Sequence, residues 1–163
     1  MKTVEIEIPI GYGIDKEKST FEKIEVKNEW VDLGLPSGNL WKSINEDEYF
    51  TYNDAVKKFE DNLPTIVDFA ELAHYCKWKW LKLKGMVVTG PNKNQIFFPA
   101  VGCRNISSKT LFNVDSYGYY WSISPHLNNG DYAYSLIFHF GNVNPVLSSD
   151  RGFGQSVRCV KHK

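Results

Sequence analysis

The chain has 163 residues, which is enough for one compact domain with its own core and short for two. Hydrophobic residues make up 42% and charged residues 23%, as in ordinary globular proteins, so a disordered chain is excluded. Lys and Arg together number 19, as do Asp and Glu, so nucleic acid or an anionic membrane is not expected as the main partner. No apolar run approaches the roughly 18–20 residues that cross a bilayer, so membrane insertion is not expected.

The N-terminal segment alternates between apolar and polar residues over 3–10 (TVEIEIPI) and again over 21–27 (FEKIEVK). A period of two predicts two strands, and we expect an antiparallel ribbon interrupted at 11–13 (GYG). Residues 1–20 contain neither an apolar core nor a small-residue cleavage site, so they do not resemble a signal peptide. We therefore treat residues 1–28 as a leader segment and residues 29–163 as the main domain.

Two helices and several short strands are predicted between residues 30 and 100. The stretch VDLGLPSGNLW (31–41) indicates a turn between two short strands, with Trp41 facing inward. Helical periodicity predicts one helix over 51–59 and a second over about 66–77, with Thr65 as the N-cap of the second. Strands near 86–89 and over 95–100 flank a hairpin turn at 91–94.

Helical periodicity is missing after about residue 101. Short blocks of Gly, Ser, Asn and aromatic residues predict a loop-rich sheet that ends in a strand at 155–160 (QSVRCV). The predicted fold class is therefore α+β, with two helices packed on small antiparallel sheets and a long irregular C-terminal region.

Lys and Glu are both missing between Thr110 and Val160, although the whole chain has 16 Lys and 10 Glu. Strands and loops disfavour these residues, which explains part of the gap. Asn, Ser and Asp are nevertheless plentiful in the same segment. A surface without long charged side chains loses less side-chain entropy and desolvates less charge when it binds a partner. The gap therefore favours a binding surface in the C-terminal half.

Enzyme chemistry has no support in the residue pattern, and we predict no catalytic residue, metal or cofactor. No Gly-rich phosphate loop is present, and no Ser or Asp is placed in a recognisable nucleophile system. An odd number of cysteines without metal-ligand spacing predicts buried free thiols. These are Cys76, Cys103 and Cys159. The histidines also lack a metal-binding pattern. They are His74, His126, His139 and His162.

Five motifs occur in order along the main domain: WVDLGLPSGNLW (30–41), LPTIVDFAELAHYCKWKW (63–80), VTGPNKNQIFFPAVGCRN (88–105), YYWSIS (119–124) and QSVRCVK (155–161). Together they resemble a Bacteroidetes domain first named as the major paralogous domain of Fibrobacter succinogenes, which has a C-type-lectin-like fold. The C-terminal part also resembles the variable proteins of diversity-generating retroelements in gut bacteria and their phages. Residues 6–24 resemble a leader segment of phage and prophage proteins from these bacteria.

The resemblance implies how the charge gap arose. In the retroelement proteins, adenine-rich codons of the C-terminal region are mutagenised, and the encoded side chains form the ligand surface. Mutation of an Asn codon at its adenines does not reach Lys, Glu, Gln, Met or Trp. Such mutagenesis would leave a segment without Lys and Glu. Trp121 and Gln155 are of types that it does not reach, and both fall in motifs that would belong to the scaffold.

The same resemblance divides the C-terminal region into scaffold and display. The scaffold would comprise Gly118, Trp121, Ser122, Ala133, Tyr134, Leu136, Phe138, Asn144, Pro145, Arg151 and residues 155–160. The displayed, ligand-binding positions would be Tyr119, Ile123, His126, Leu127, Asn128, Asn129, Asp131, Tyr132, Ser135, Ile137, His139, Asn142, Val146, Leu147, Ser148, Ser149, Asp150, Gly152 and Phe153. Strand alternation supports the division over 135–139, since inward Leu136 and Phe138 leave the odd-numbered residues pointing outward. Ordinary core burial remains the alternative for Ile137, Leu127 and Phe153.

The expected function is a non-enzymatic receptor-binding or adhesin protein of a phage virion or tail, or of a bacterial cell surface. Its partner would be a protein or glycan on a bacterial or host surface, and a homotrimer is expected by analogy with phage tail proteins. Calcium-dependent sugar binding is not expected, because Asn144-Pro145-Val146 only partly matches the lectin motifs Glu-Pro-Asn and Gln-Pro-Asp. Two alternatives stay open: a non-diversified structural or adhesive domain of a cell-surface protein, and an enzyme related to the formylglycine generators.

Overall fold

The computed structural model describes residues 3–9, 21–82 and 84–163. Two α-helices lie in this part of the chain, α1 (Tyr52–Phe59) and α2 (Ile66–Tyr75). The strands are β1 (Thr3–Pro9), β2 (Phe21–Lys27), β3 (Trp30–Asp32), β4 (Leu40–Lys42), β5 (Lys77–Leu81), β6 (Gly85–Thr89), β7 (Gln95–Pro99), β8 (Cys103–Asn105), β9 (Leu111–Phe112), β10 (Tyr117–Pro125), β11 (Tyr132–His139), β12 (Asn142–Asp150), β13 (Phe153–Gly154) and β14 (Val160–Lys161). The strands form several small antiparallel sheets, so the predicted α+β class is confirmed.

The N-terminal strands pair antiparallel as predicted, with Ile6 opposite Ile24 in the register. The predicted break at 11–13 lies outside the described residues. Strands β3 and β4 also pair antiparallel around the predicted turn, and β14 pairs with the other edge of β4. Trp41 is fully buried on β4, which confirms its predicted inward position.

Side-chain caps determine where both helices begin. The Thr51 hydroxyl accepts a hydrogen bond from the backbone amide of Asp54 and caps α1. Thr65 and Asp68 form a reciprocal capping box at α2, which confirms the predicted N-cap. Helix α2 ends two residues before the predicted boundary because Cys76 is extended and the chain enters β5. Strand β5, which carries Trp78 and Trp80, was not predicted.

Strands β10, β11 and β12 form a regular antiparallel sheet of nine, eight and nine residues, with β11 in the centre. The prediction of an irregular region was wrong here. The sequence does not show these strands clearly, because a register shift interrupts the alternation of apolar and polar residues. Between Trp121 and Pro125, β10 has two more residues than the segment of β11 that it pairs with. The Ser122 hydroxyl donates to the backbone oxygen of Tyr134 across this bulge, at 2.7 Å.

The predicted strand at 155–160 was largely wrong, since regular pairing begins only at Val160. Residues 155–159 are instead a buried segment that contacts the sheets through single bridges to Phe50 and Tyr120. Arg158 is fully buried in this segment and lies over the Phe98 ring at 4.5 Å. Its guanidinium donates to Asn45 Oδ1 and to two backbone oxygens, which replaces lost hydration. Burial lowers the pKa of Arg158 to about 10, and the side chain still carries its charge at neutral pH.

Two hydrophobic cores lie on opposite faces of the β10–β11–β12 sheet. The first core contains Phe69 and Leu72 of α2, Phe98 of β7, and Leu136 and Phe138 of β11. The second core contains Tyr52 and Ala55 of α1 with Trp121 of β10 and Ala133 of β11. No helix in the described residues is long and apolar enough to cross a membrane.

Candidate functional site

The strand register assigns each residue of β10 and β11 to one face of the sheet. Tyr117 pairs with His139, Tyr119 with Ile137, and Trp121 with Ser135. Directly paired residues share a face and alternate with their neighbours, so these six side chains lie on one face. We call it the outer face. The intervening residues Gly118, Tyr120, Leu136 and Phe138 face the first core.

Helix α1 covers one half of the outer face. The ring of Tyr52 packs against that of Trp121 with centroids 5.6 Å apart, and its hydroxyl donates to the backbone oxygen of Ile123 at 2.6 Å. The indole nitrogen of Trp121 donates to the backbone oxygen of Phe50 at 2.8 Å. Ser135 lies opposite Trp121 and is fully buried, and its hydroxyl has no hydrogen-bond partner. The prediction that Ser135 is displayed was therefore wrong. Alternation put it on the correct face, but packing covers that half of the face.

The other half of the outer face is open to solvent and rich in aromatic rings. The Tyr117 and Tyr119 rings lie 5.8 Å apart at an interplanar angle of 20°, and the His139 ring lies 4.9 Å from that of Tyr117. Ile137 lies opposite Tyr119 and is partly exposed. Strand β12 adds two amides, because Asn142 pairs with His139 and Asn144 pairs with Ile137.

The open surface continues onto the small β13–β8–β9 sheet. Gly102 forms a parallel bridge with Gly118, which joins the two sheets. The Asn113 side-chain amide donates to the Tyr119 hydroxyl at 2.8 Å. Beyond it, the rings of Phe112 and Phe153 meet with centroids 6.3 Å apart. We call this surface the aromatic face, and its members are Phe112, Asn113, Tyr117, Tyr119, Ile137, His139, Asn142, Asn144 and Phe153.

Local contacts hold the aromatic face in place. Burial raises the pKa of the Tyr119 phenol above its ordinary value, and the hydrogen bond from Asn113 partly offsets this rise. A side chain at position 118 would collide with the ring of Phe138, so glycine lets the strand pack closely on the first core. The rings therefore stand on a tightly packed strand rather than on a loop.

A second group of predicted residues lies at the opposite end of the β11–β12 hairpin. Asp131, Tyr132, Asp150 and Gly152 line a cavity of about 470 Å³ together with Asn53. The Arg151 side chain donates to the backbone oxygen of Tyr132 at 3.0 Å. Tyr132 and His139 are seven residues apart on β11, which corresponds to a distance of roughly 23 Å along the strand. These two groups do not form one continuous site.

The remaining predicted residues are scattered. Leu127, Asn128 and Asn129 are exposed in the β10–β11 loop, and the His126 ring packs on that of Tyr134 at 5.1 Å. Ile123 is partly buried and packs against the second core. Four other predicted positions lie along the edge strand β12: Val146, Leu147, Ser148 and Ser149. Of the predicted display set, the aromatic face contains Tyr119, Ile137, His139, Asn142 and Phe153.

Sequence reasoning missed part of the aromatic face. Phe112, Asn113 and Tyr117 were not predicted, and Asn144 was assigned to the scaffold. Tyr117 was detectable in principle, because it stands two residues before Tyr119 and shares its strand face. The Asn144 position depends on the register shift between Ser135 and Ile137, which has no signal in the sequence.

The three cysteines are free and buried, as predicted. Burial raises the pKa of Cys76 to about 11 and that of Cys159 to about 12, so both thiols stay protonated near neutral pH. Among the described residues, no group of three or more His, Cys, Asp or Glu side chains is arranged to hold a metal ion.

The chain was compared with protein-family models, with curated proteins and with solved structures. No family model matches the chain, and no significant match was found among curated proteins or solved structures.

Proposed function

We propose that this chain is a non-enzymatic ligand-binding module with a C-type-lectin-like fold, and that its C-terminal strands display a diversified surface. It would serve as a receptor-binding or adhesin protein of a phage, a prophage or a bacterial surface. The assignment to retroelement variable proteins depends on the five ordered motifs and on the Lys and Glu gap. The proposed partner is a protein or glycan on a bacterial or host cell, and a homotrimer is the proposed assembly.

The observation that carries the proposal is the aromatic face. Its side chains are five aromatic rings, one Ile and three Asn, and all except Asn113 lie on paired strands of two adjoining sheets. Rigid rings supply contact area at low entropy cost, and Asn side chains supply adaptable hydrogen bonds, as in antibody paratopes. The whole of β10, β11 and β12 lies within the segment that has neither Lys nor Glu.

The gene tests the diversification directly. We expect a nearby repeat that matches the coding sequence of the C-terminal region and differs from it only at adenines, together with a reverse-transcriptase gene. Substitutions between related copies should concentrate at exposed positions such as Tyr119 and Ile137, and avoid buried Trp121 and Phe138. If the repeat is missing, or if its differences fall equally on all four bases, the non-diversified domain becomes the better description.

A further inference from the structure

We propose that the aromatic face binds a polypeptide partner of low charge, and not a glycan. This inference rests on the proposed ligand-binding function and names the chemical class of the ligand. It follows from the arrangement of the rings, from the residue types around them, and from the apolar surface at their margin.

The arrangement of the rings disfavours a sugar. A sugar ring binds an aromatic side chain by laying its C–H groups on a free ring face. Tyr117 already contacts the Tyr119 ring at 5.8 Å and the His139 ring at 4.9 Å. The Tyr119 hydroxyl accepts a hydrogen bond from Asn113 at 2.8 Å and keeps its own proton to donate to a ligand. A sugar would have to separate the Tyr117 ring from its neighbours to lie on the ring face, whereas a polypeptide can pack against the group as it stands.

The residue types around the rings fit the same reading. None of the nine members of the aromatic face is Asp, Glu, Lys or Arg. These nine residues therefore include no carboxylate or guanidinium that could hold two neighbouring sugar hydroxyls at once. The centres of protein interfaces are instead depleted in charge and enriched in Tyr and Phe. Uncharged Asn side chains at positions 113, 142 and 144 match the mixed hydrogen bonding of a peptide backbone.

The margin of the face is apolar. Phe112 is 43% exposed, and Val114, two residues further along the chain, is 42% exposed. Exposed apolar side chains beside a group of aromatic rings are typical of a protein contact surface. The apolar margin extends the area that a polypeptide partner covers.

The test uses two probes against the whole chain: a displayed library of random peptides, both linear and disulfide-looped, and an array of bacterial and animal glycans. A matched pair of variants locates the binding. Ile137→Asp places a charge in the aromatic face, and Val67→Asp places the same charge on α2, where Val67 is 71% exposed. His139→Ala is a second face variant without added charge, and thermal melting shows that each variant is folded.

We expect selected peptides that are poor in charged residues. Their affinity should fall at least about tenfold with Ile137→Asp or His139→Ala, and stay within about twofold with Val67→Asp. Because few charges take part, the affinity should change little between about 50 and 500 mM salt.

Three results would overturn the inference: a glycan whose binding is lost with Ile137→Asp, peptides dominated by charged residues, or no peptide that distinguishes Ile137→Asp from Val67→Asp. The proposed diversification is judged separately, by the template repeat in the gene. A glycan that binds the face would therefore reject the polypeptide partner and leave the display function standing.

Discussion

The two halves of the outer face on β10 and β11 have the same strand alternation and opposite surroundings. In the covered half, Trp121 packs against Tyr52 of α1, and Ala133 and Ser135 are fully buried. In the open half, Tyr119 and Ile137 continue the same strands and meet solvent. Strand alternation is identical in both halves. The second core, to which α1 contributes Tyr52 and Ala55, lies over one half only and decides which residues stabilise the fold and which are available to a ligand.

The difference teaches that an outward strand position is not the same as a displayed one. Ser135 and Ile137 are two residues apart on one face of β11, yet Ser135 is fully buried and Ile137 is partly exposed. A change of polarity or size should therefore affect stability in the covered half and ligand binding in the open half.

The largest contrast is expected from truncating one ring in each half. Trp121→Ala should cost about 3–5 kcal/mol of folding free energy, because it empties a packed site and removes one of the two hydrogen-bond donors to the Phe50 oxygen. His139→Ala, in the open half, should cost less than about 1 kcal/mol. Urea denaturation followed by fluorescence or circular dichroism measures both. Similar losses for the two variants would show that the open half is also part of the core.

A new charge should separate the halves in the same way. Ala133→Asp puts a carboxylate into the second core without a partner and should cost about 3–5 kcal/mol. Ile137→Asp, four residues away on the same face of the strand, should cost less than about 1 kcal/mol because water reaches it. Thermal melting of the pair checks this. A cooperative fold retained by the Ala133 variant would contradict the burial of the covered half.

Gly118→Ala tests whether the strand that carries the aromatic face packs tightly on the first core with its other side. The added Cβ meets the Phe138 ring in the first core, and the crowding should cost about 1–3 kcal/mol. Gly130→Ala is the matched control, because its Cβ enters open space and should change stability by less than about 0.5 kcal/mol. Chemical denaturation of both variants measures the difference. Equal stabilities would indicate loose packing beneath the aromatic face.

The smallest effect is expected at Ser135. Its buried hydroxyl has no hydrogen-bond partner, so Ser135→Ala should leave stability unchanged or raise it by up to about 1 kcal/mol. Ligand binding should be unaffected. A selective loss of binding, with stability unchanged, would return Ser135 to the displayed set.

Much of the local structure was predictable, because its causes are local. Period-two alternation predicted the N-terminal ribbon, helical spacing predicted α1 and α2, and Thr65 marked the start of α2. The C-terminal sheet was predicted less well. Its bulges break the alternation that reveals strands, and the buried residues 155–159 are extended without forming a regular strand.

The candidate site was predictable only in part for the same reason. Ile137 and His139 were found from alternation along one strand. Phe112 and Asn113 join the aromatic face through the bridge between Gly102 and Gly118 and through the hydrogen bond from Asn113 to Tyr119, and both depend on how the small sheet packs beside β10. The predicted set also included residues at both ends of the β11–β12 hairpin, because sequence carries no measure of their separation in space.

The sequence by itself determined the α+β class, the helix starts, the inward Trp41, and a C-terminal segment free of Lys and Glu. These follow from residue type and short-range periodicity, which act before the chain is packed. The tertiary structure alone decided that Ser135 is buried while Ile137 is partly exposed, and that the rings of Tyr117, Tyr119 and His139 form one group. Exposure depends on which elements pack together, and that is a long-range outcome that no single strand encodes.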